Sequence, residues 1–99
     1  MIPLESLRVE QFQSLVGKPF LLHAANQTVE LTLHEVKAYG EKWPGATREP
    51  FALALAGPPG LRAPQAIYRF EVPELGELEM FITQTADSAG GSQFQAVFT

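Results

Sequence analysis

Two histidines, His23 and His34, invite a metal reading, because neutral imidazole is the commonest metal ligand. Their spacing argues against it. Residues 20–38 read as two strands joined by a turn centred on Asn26 and Gln27. That register sets His23 beside Glu30 and leaves His34 four residues further along the same strand, about 13 Å away at about 3.3 Å per residue. One ion does not bridge that gap, so His23 and Glu30 are expected as a cross-strand polar pair. Glu71, Glu77 and Glu79 fall on one face of a second hairpin. Carboxylates do acid–base work where burial shifts one of them. Here they alternate with apolar positions and have Arg69 among them, so they read as a solvated face. Ser6, Ser14, Ser88 and Ser92 lie in no strand–turn–helix nucleophile elbow. The segment SAGGS, 88–92, lacks the lysine and helix of a phosphate loop and reads as a hairpin connection. The chain is expected to be no enzyme and to hold no metal and no cofactor.

Residues suited to binding are easier to find. The segment YGEKWPGATRE, 39–49, is the longest irregular stretch and carries the only tryptophan. Trp43 offers a large apolar surface and one N–H donor. With Tyr39 and Arg48 it forms one candidate contact group, for a protein or for a small ligand such as a carbohydrate. The strand REPFALALAG, 48–57, is apolar on both faces. Phe51, Leu53 and Leu55 suit a core, which turns Ala52, Ala54 and Ala56 outward. Ile67 and Phe81 are also expected outward and close together. Ala52, Ala54, Ile67 and Phe81 are therefore the second candidate contact group, for self-association or a protein partner.

These residues need a frame. Ninety-nine residues with 45% hydrophobic content suffice for one core, read as a single domain over 1–99. There is no cysteine, which removes disulfides and thiol chemistry and suits a reducing, cytoplasmic setting. Eleven acidic against seven basic residues, the latter scattered, weigh against nucleic acid. No apolar run reaches the roughly 20 residues of a membrane helix, and the N-terminal residues do not read as a secretory signal.

Apolar groups at Val9, Phe12, Leu15 and Val16 have helical spacing, with Gly17 as a stop. A short helix near 8–15 is expected. It would cover part of the outer face of a β-barrel or plug one of its ends. From Phe20 the period is two, predicting strands near 20–24, 29–38, 50–57, 66–72, 77–84 and 93–98 within a barrel spanning 19–99. The apolar phase changes around His34 and Glu35, as a bulge would cause. Tight turns imply antiparallel pairing, so the fold class is all-β: a small six-stranded antiparallel barrel, with a sandwich as the alternative. In the hairpin 66–84, a loop over Glu74, Leu75 and Gly76 sets Val72 against Leu78 and Phe70 against Met80. Arg69 then lies across from Phe81 and diagonal to Glu79.

Several stretches taken together are similar to a known family. PLESLRVEQFQSLVGKPFLL is followed by ELTLHEVKA, REPFALALAGP, PQAIYRFEVPELGELEMFI and a terminal QAVFT. The markers are the REPF-type strand ending in Gly-Pro, the aromatic strand running into an L-G-E-L hairpin, and the A-V-F ending. In this order they resemble an uncharacterised family of bacterial proteins of about this length. The resemblance implies a bacterial cytoplasmic protein that accompanies phage-tail-like components, and it carries no site residues. The function expected is a non-enzymatic structural or protein-interaction module. The alternative is a small β-barrel that binds a ligand through the 39–49 loop.

Overall fold

The computed structural model describes residues 7–24, 27–39, 50–88 and 90–98. They form one short helix, α1 (Val9–Gln13), and six strands: β1 (Pro19–Ala24), β2 (Gln27–Ala38), β3 (Phe51–Gly57), β4 (Ala66–Val72), β5 (Gly76–Ser88) and β6 (Gly91–Phe98). The strands close into an antiparallel barrel in the order β1-β2-β3-β6-β5-β4. Two three-stranded meanders, β1-β2-β3 and β4-β5-β6, are thus joined twice, β3 to β6 and β4 to β1. The order is unchanged when 1, 2, 3 are exchanged for 4, 5, 6, so the topology has a two-fold pseudosymmetry.

Alternation fills the interior as the period of two demands. Phe51, Leu53, Leu55, Phe70, Leu78, Met80, Ile82, Phe94 and Phe98 are buried, with Phe20, Leu22, Leu31 and Leu33 from the first hairpin. The phase change in β2 is a bulge: Leu33 pairs with Leu55 and Glu35 with Ala54, leaving His34 as the extra residue. A second bulge lies in β5, where Gln84 pairs with Phe94 and Ala86 with Gln93, leaving Thr85 extra. Nothing in the sequence signals it, because TQTAD has no apolar phase to break. The pairing also continues through Asp87–Ser92 and Ser88–Gly91, so the ladder runs into the connection expected over 88–92.

Both hairpins differ in register from the sequence reading, and both by two residues. In the first, Ala24 pairs with Gln27 and His23 with Thr28, not with Glu30. In the second, Val72 pairs with Gly76, Phe70 with Leu78 and Arg69 with Glu79, so Pro73, Glu74 and Leu75 form the turn. Glu74 and Gly76 both take left-handed backbone, at φ 67° and 87°. A two-residue slip leaves every side chain on its own face, so burial alone does not distinguish the two registers.

The helix plugs one barrel end and does not lie on the alanine face. It is far too short to stand alone. It begins where the Gln11 side chain accepts a bond from the Arg8 N–H at 2.6 Å. Burial of Leu7, Phe12 and Leu15 holds it. The Phe12 ring sits 5.6 Å from Phe51, 5.8 Å from Phe98 and 6.4 Å from Phe20, while Phe51 and Phe98 stack at 4.7 Å. The crossover from β3 to β4 closes the other end. Leu61 and Ala63 pack on the core there. Gln84 fixes the crossover by donating to the Leu61 carbonyl at 2.9 Å and accepting from the Ala63 N–H at 3.2 Å. Gly57 is required where the crossover leaves the barrel: a Cβ would lie 2.7 Å from Leu31 and 2.8 Å from the Ser92 hydroxyl. Phe12→Ala, which opens the plugged end, is expected to cost about 3–5 kcal/mol in urea denaturation; a loss under about 1 kcal/mol would show that the helix is not part of the core.

Candidate functional site

The barrel's outer face has no second layer of secondary structure among the described residues, and Ile67, Phe81 and Val97 on it are exposed. Ile67 on β4 pairs directly with Phe81 on β5. The β5–β6 ladder ends at Ile82–Ala96, and Phe81 and Val97 are the next residues beyond it on the two strands. Val97 in turn pairs with Ala52 on β3, and Ala52 with Lys37 on β2. The result is a belt of outward residues crossing five strands: Ile67, Phe81, Val97, Ala52 and Lys37. Three neighbours carry the exposed apolar surface, with Ile67 64%, Phe81 49% and Val97 53% accessible. Ile67 and Phe81 face each other at the ladder spacing of about 4.8 Å, and Val97 follows on the next strand.

The belt brings together three of the residues singled out from the sequence and separates the fourth. Ile67 and Phe81 are adjacent at its exposed end. Ala52 faces outward within it but is only 4% accessible, between Lys37 and Val97, and offers little contact surface. Ala54 lies one outward step away, with Ala56 on the floor of a groove of about 360 Å³. The two bulge residues, His34 and Thr85, stand at its sides with Gln93 and Gln95, and it straddles the pseudo-two-fold axis between β3 and β6. Tyr39, exposed just beyond β2, has the Lys37 ammonium 6.0 Å from its ring centre, a cation–π contact at the edge of the belt. Trp43 and Arg48 lie outside the described residues. Val97 is absent from the residues singled out from the sequence, although the signal is there: Phe94, Ala96 and Phe98 face inward, which turns Val97 out.

The polar residues that invited chemistry are dispersed as pairs. His23 Nε2 meets Glu71 Oε1 at 2.9 Å, and its Nδ1 meets the Thr28 hydroxyl at 3.1 Å. Its carboxylate partner is therefore on β4, across the closing seam, while Thr28 is its partner on its own hairpin. His34 is the bulge residue of β2 and does not approach His23's partners. Arg69 faces Glu79 in the ladder but places its guanidinium 3.4 Å from the Glu77 carboxylate on the diagonal. Lys18 pairs with Glu74 at 3.0 Å and Arg62 with Asp87 at 3.3 Å. Such exposed pairs are worth about 0.2–1 kcal/mol each. Ser92 is the one serine of the four that is buried among the described residues, and its hydroxyl donates to the Pro58 carbonyl at 2.9 Å. Its bond holds the crossover. Among the described residues no three metal-ligating side chains converge, and no helix is long and apolar enough to cross a membrane.

Residues 7–98 match the family described as Domain of unknown function (DUF6916), and with nearly the whole chain matched the protein belongs to it. No curated protein and no solved structure matches the chain.

With Phe81 on the outer face, Phe81→Asp removes one side of an exposed cross-strand pair and lowers stability by about 1 kcal/mol. Leu55→Ala, on the inner face, costs about 2–5 kcal/mol. Equal losses in thermal unfolding would show Phe81 to be core.

Proposed function

We propose that this member of the family is a non-enzymatic interaction module that docks a protein partner through the belt of Ile67, Phe81 and Val97. One observation carries this reading: three large apolar side chains stand next to one another on adjacent strands of a closed sheet, all about half or more exposed. A lone exposed apolar residue needs no explanation, but a contiguous patch marks a contact surface. Interfaces are built this way, with an apolar centre inside a polar rim. The rim is supplied by Arg69 and Glu79 on one side and by Thr83 and Gln95 on the other. A stable interface buries about 800 Å² on each partner. The belt would therefore be the centre of a wider footprint, reaching the groove over Ala54 in one direction and Tyr39 in another.

Barrel closure supports the same reading. A closed sheet has no free edge to accept a partner's strand, so docking must use side chains of the outer face. The interior is filled by phenylalanine and leucine, as small barrels usually are. The role fits a cytoplasmic accessory of a larger assembly, of the phage-tail-like kind the sequence resemblance implies.

The test is photo-crosslinking in the native cell. A photoreactive phenylalanine analogue at position 81 is expected to capture one dominant protein, and the same analogue at Gln93, outside the belt, to capture none. Equal capture at both positions, or none at 81, would contradict the proposal.

A further inference from the structure

The groove between the two bulges has the makings of a second site, apart from the exposed end of the belt. Its volume of about 360 Å³ lies within the range of about 300–1,000 Å³ that small-molecule sites occupy. Ala54 pairs directly with Gln95 and Ala56 with Gln93, so two methyl groups make the floor and two carboxamides stand beside it. His34 and Thr85 line the flanks, each the extra residue of its bulge. Bulges re-aim side chains and gather next to functional sites. Here two of them, on strands that are not neighbours, border one hollow. None of these four polar side chains has a hydrogen-bond or ion-pair partner among the described residues. Gln84 and His23 are residues of the same types that the fold does use: Gln84 holds the crossover, and Glu71 and Thr28 hold His23. Around the groove the same chemistry is left unused.

We propose that this groove binds a neutral sugar ring, free or at the end of a glycan chain. Charge is the first reason. No lysine, arginine, aspartate or glutamate is among the described residues that line it, and Glu35, which pairs with Ala54, stands outside the lining. A charged ligand would give up water there with no opposite charge in the lining to meet it. Polarity is the second. The two carboxamides and the Thr85 hydroxyl each donate and accept, and the His34 imidazole does both in its uncharged form. Sugar hydroxyls also donate and accept, so each contact can be made in either sense. The floor is the third. Two alanine methyls side by side leave a low apolar surface, on which the C–H face of a pyranose ring can lie while its hydroxyls reach the sides. Small-molecule sites combine apolar surface with a few placed polar groups in this way.

The test follows the amide signals of the isotope-labelled full chain by NMR, with glucose, maltose, cellobiose and diacetylchitobiose as probes. At least one is expected to move the side-chain signals of Gln93 and Gln95 at millimolar concentration, the weak affinity that a few hydrogen bonds exchanged with water give. Gln93→Ala is expected to weaken that binding about two- to tenfold. Ala56→Leu, which fills the groove, is expected to abolish it, with the rest of the spectrum showing that the barrel is folded. Should that variant not fold, the double substitution Gln93→Ala and Gln95→Ala takes its place. Glucuronate and glucosamine, the anionic and cationic relatives of glucose, are expected to move these signals less than glucose does. Retention of the chain on amylose, cellulose or chitin beads would show the ring to be a glycan end; binding of the soluble sugars without retention would show it to be a free sugar. The proposal is overturned if no probe moves the two glutamine signals. Shifts that persist undiminished in Ala56→Leu, or charged sugars that act as strongly as glucose, overturn it equally.

Discussion

The seam between β1 and β4 is the constraint on which the rest of the molecule depends. There Leu21 pairs with Glu71, Leu22 with Phe70 and His23 with Arg69, and an open six-stranded sheet becomes a closed one. Closure has two consequences. Inside, every inward position must be filled, and both open ends must be stopped. Outside, no edge remains for strand addition, so whatever the protein contacts must be contacted by side chains. The phenylalanine cluster around Phe12 answers the first demand at one end, and Leu61 and Gln84 answer it at the other. In the proposed reading, the belt answers the second.

The doubled meander explains where the surface features fall. Each half carries one bulge in its long middle strand, at His34 and at Thr85, and the two bulges flank the β3–β6 contact symmetrically. Bulges sharpen local twist and bend a strand, which is what two long strands need to wrap a small barrel. They also raise the sides of the groove over Ala54 and Ala56. Pseudosymmetry stops at side chains. The β3 side of that groove is alanine and the β6 side is glutamine, and the exposed apolar side chains Ile67, Phe81 and Val97 gather on β4, β5 and β6.

Much of this is legible in the residues, and the rest escapes for a common physical cause. Period-two alternation sets the faces of β3, β4 and β5 and therefore the core, the outward Ile67–Phe81 pair and the bulge at His34. Register escapes it. A hairpin slipped by two keeps every face, so PELGE and HAANQT admit two pairings that the apolar pattern does not separate. The choice is made by turn geometry, with left-handed Glu74 an unusual participant. The consequence falls on the polar residues: the sequence pairs His23 with Glu30, where the fold gives it Thr28 and Glu71, and it sets Arg69 across from Phe81, where the fold sets it across from Glu79. The bulge at Thr85 has no apolar phase to reveal it. The position of α1 stays open in the sequence because an amphipathic pattern shows which side chains a helix buries but not on what. Phe51 and Phe98, at the ends of their strands, supply the receiving surface.

The central claim is the proposal that the belt stands open in the isolated chain, ready for a partner protein. Light scattering after size exclusion, over a concentration series reaching millimolar, tests it most directly. The account predicts the monomer mass of 10.9 kDa throughout. A dimer that grows with concentration, and that Phe81→Asp returns to monomer, would contradict it.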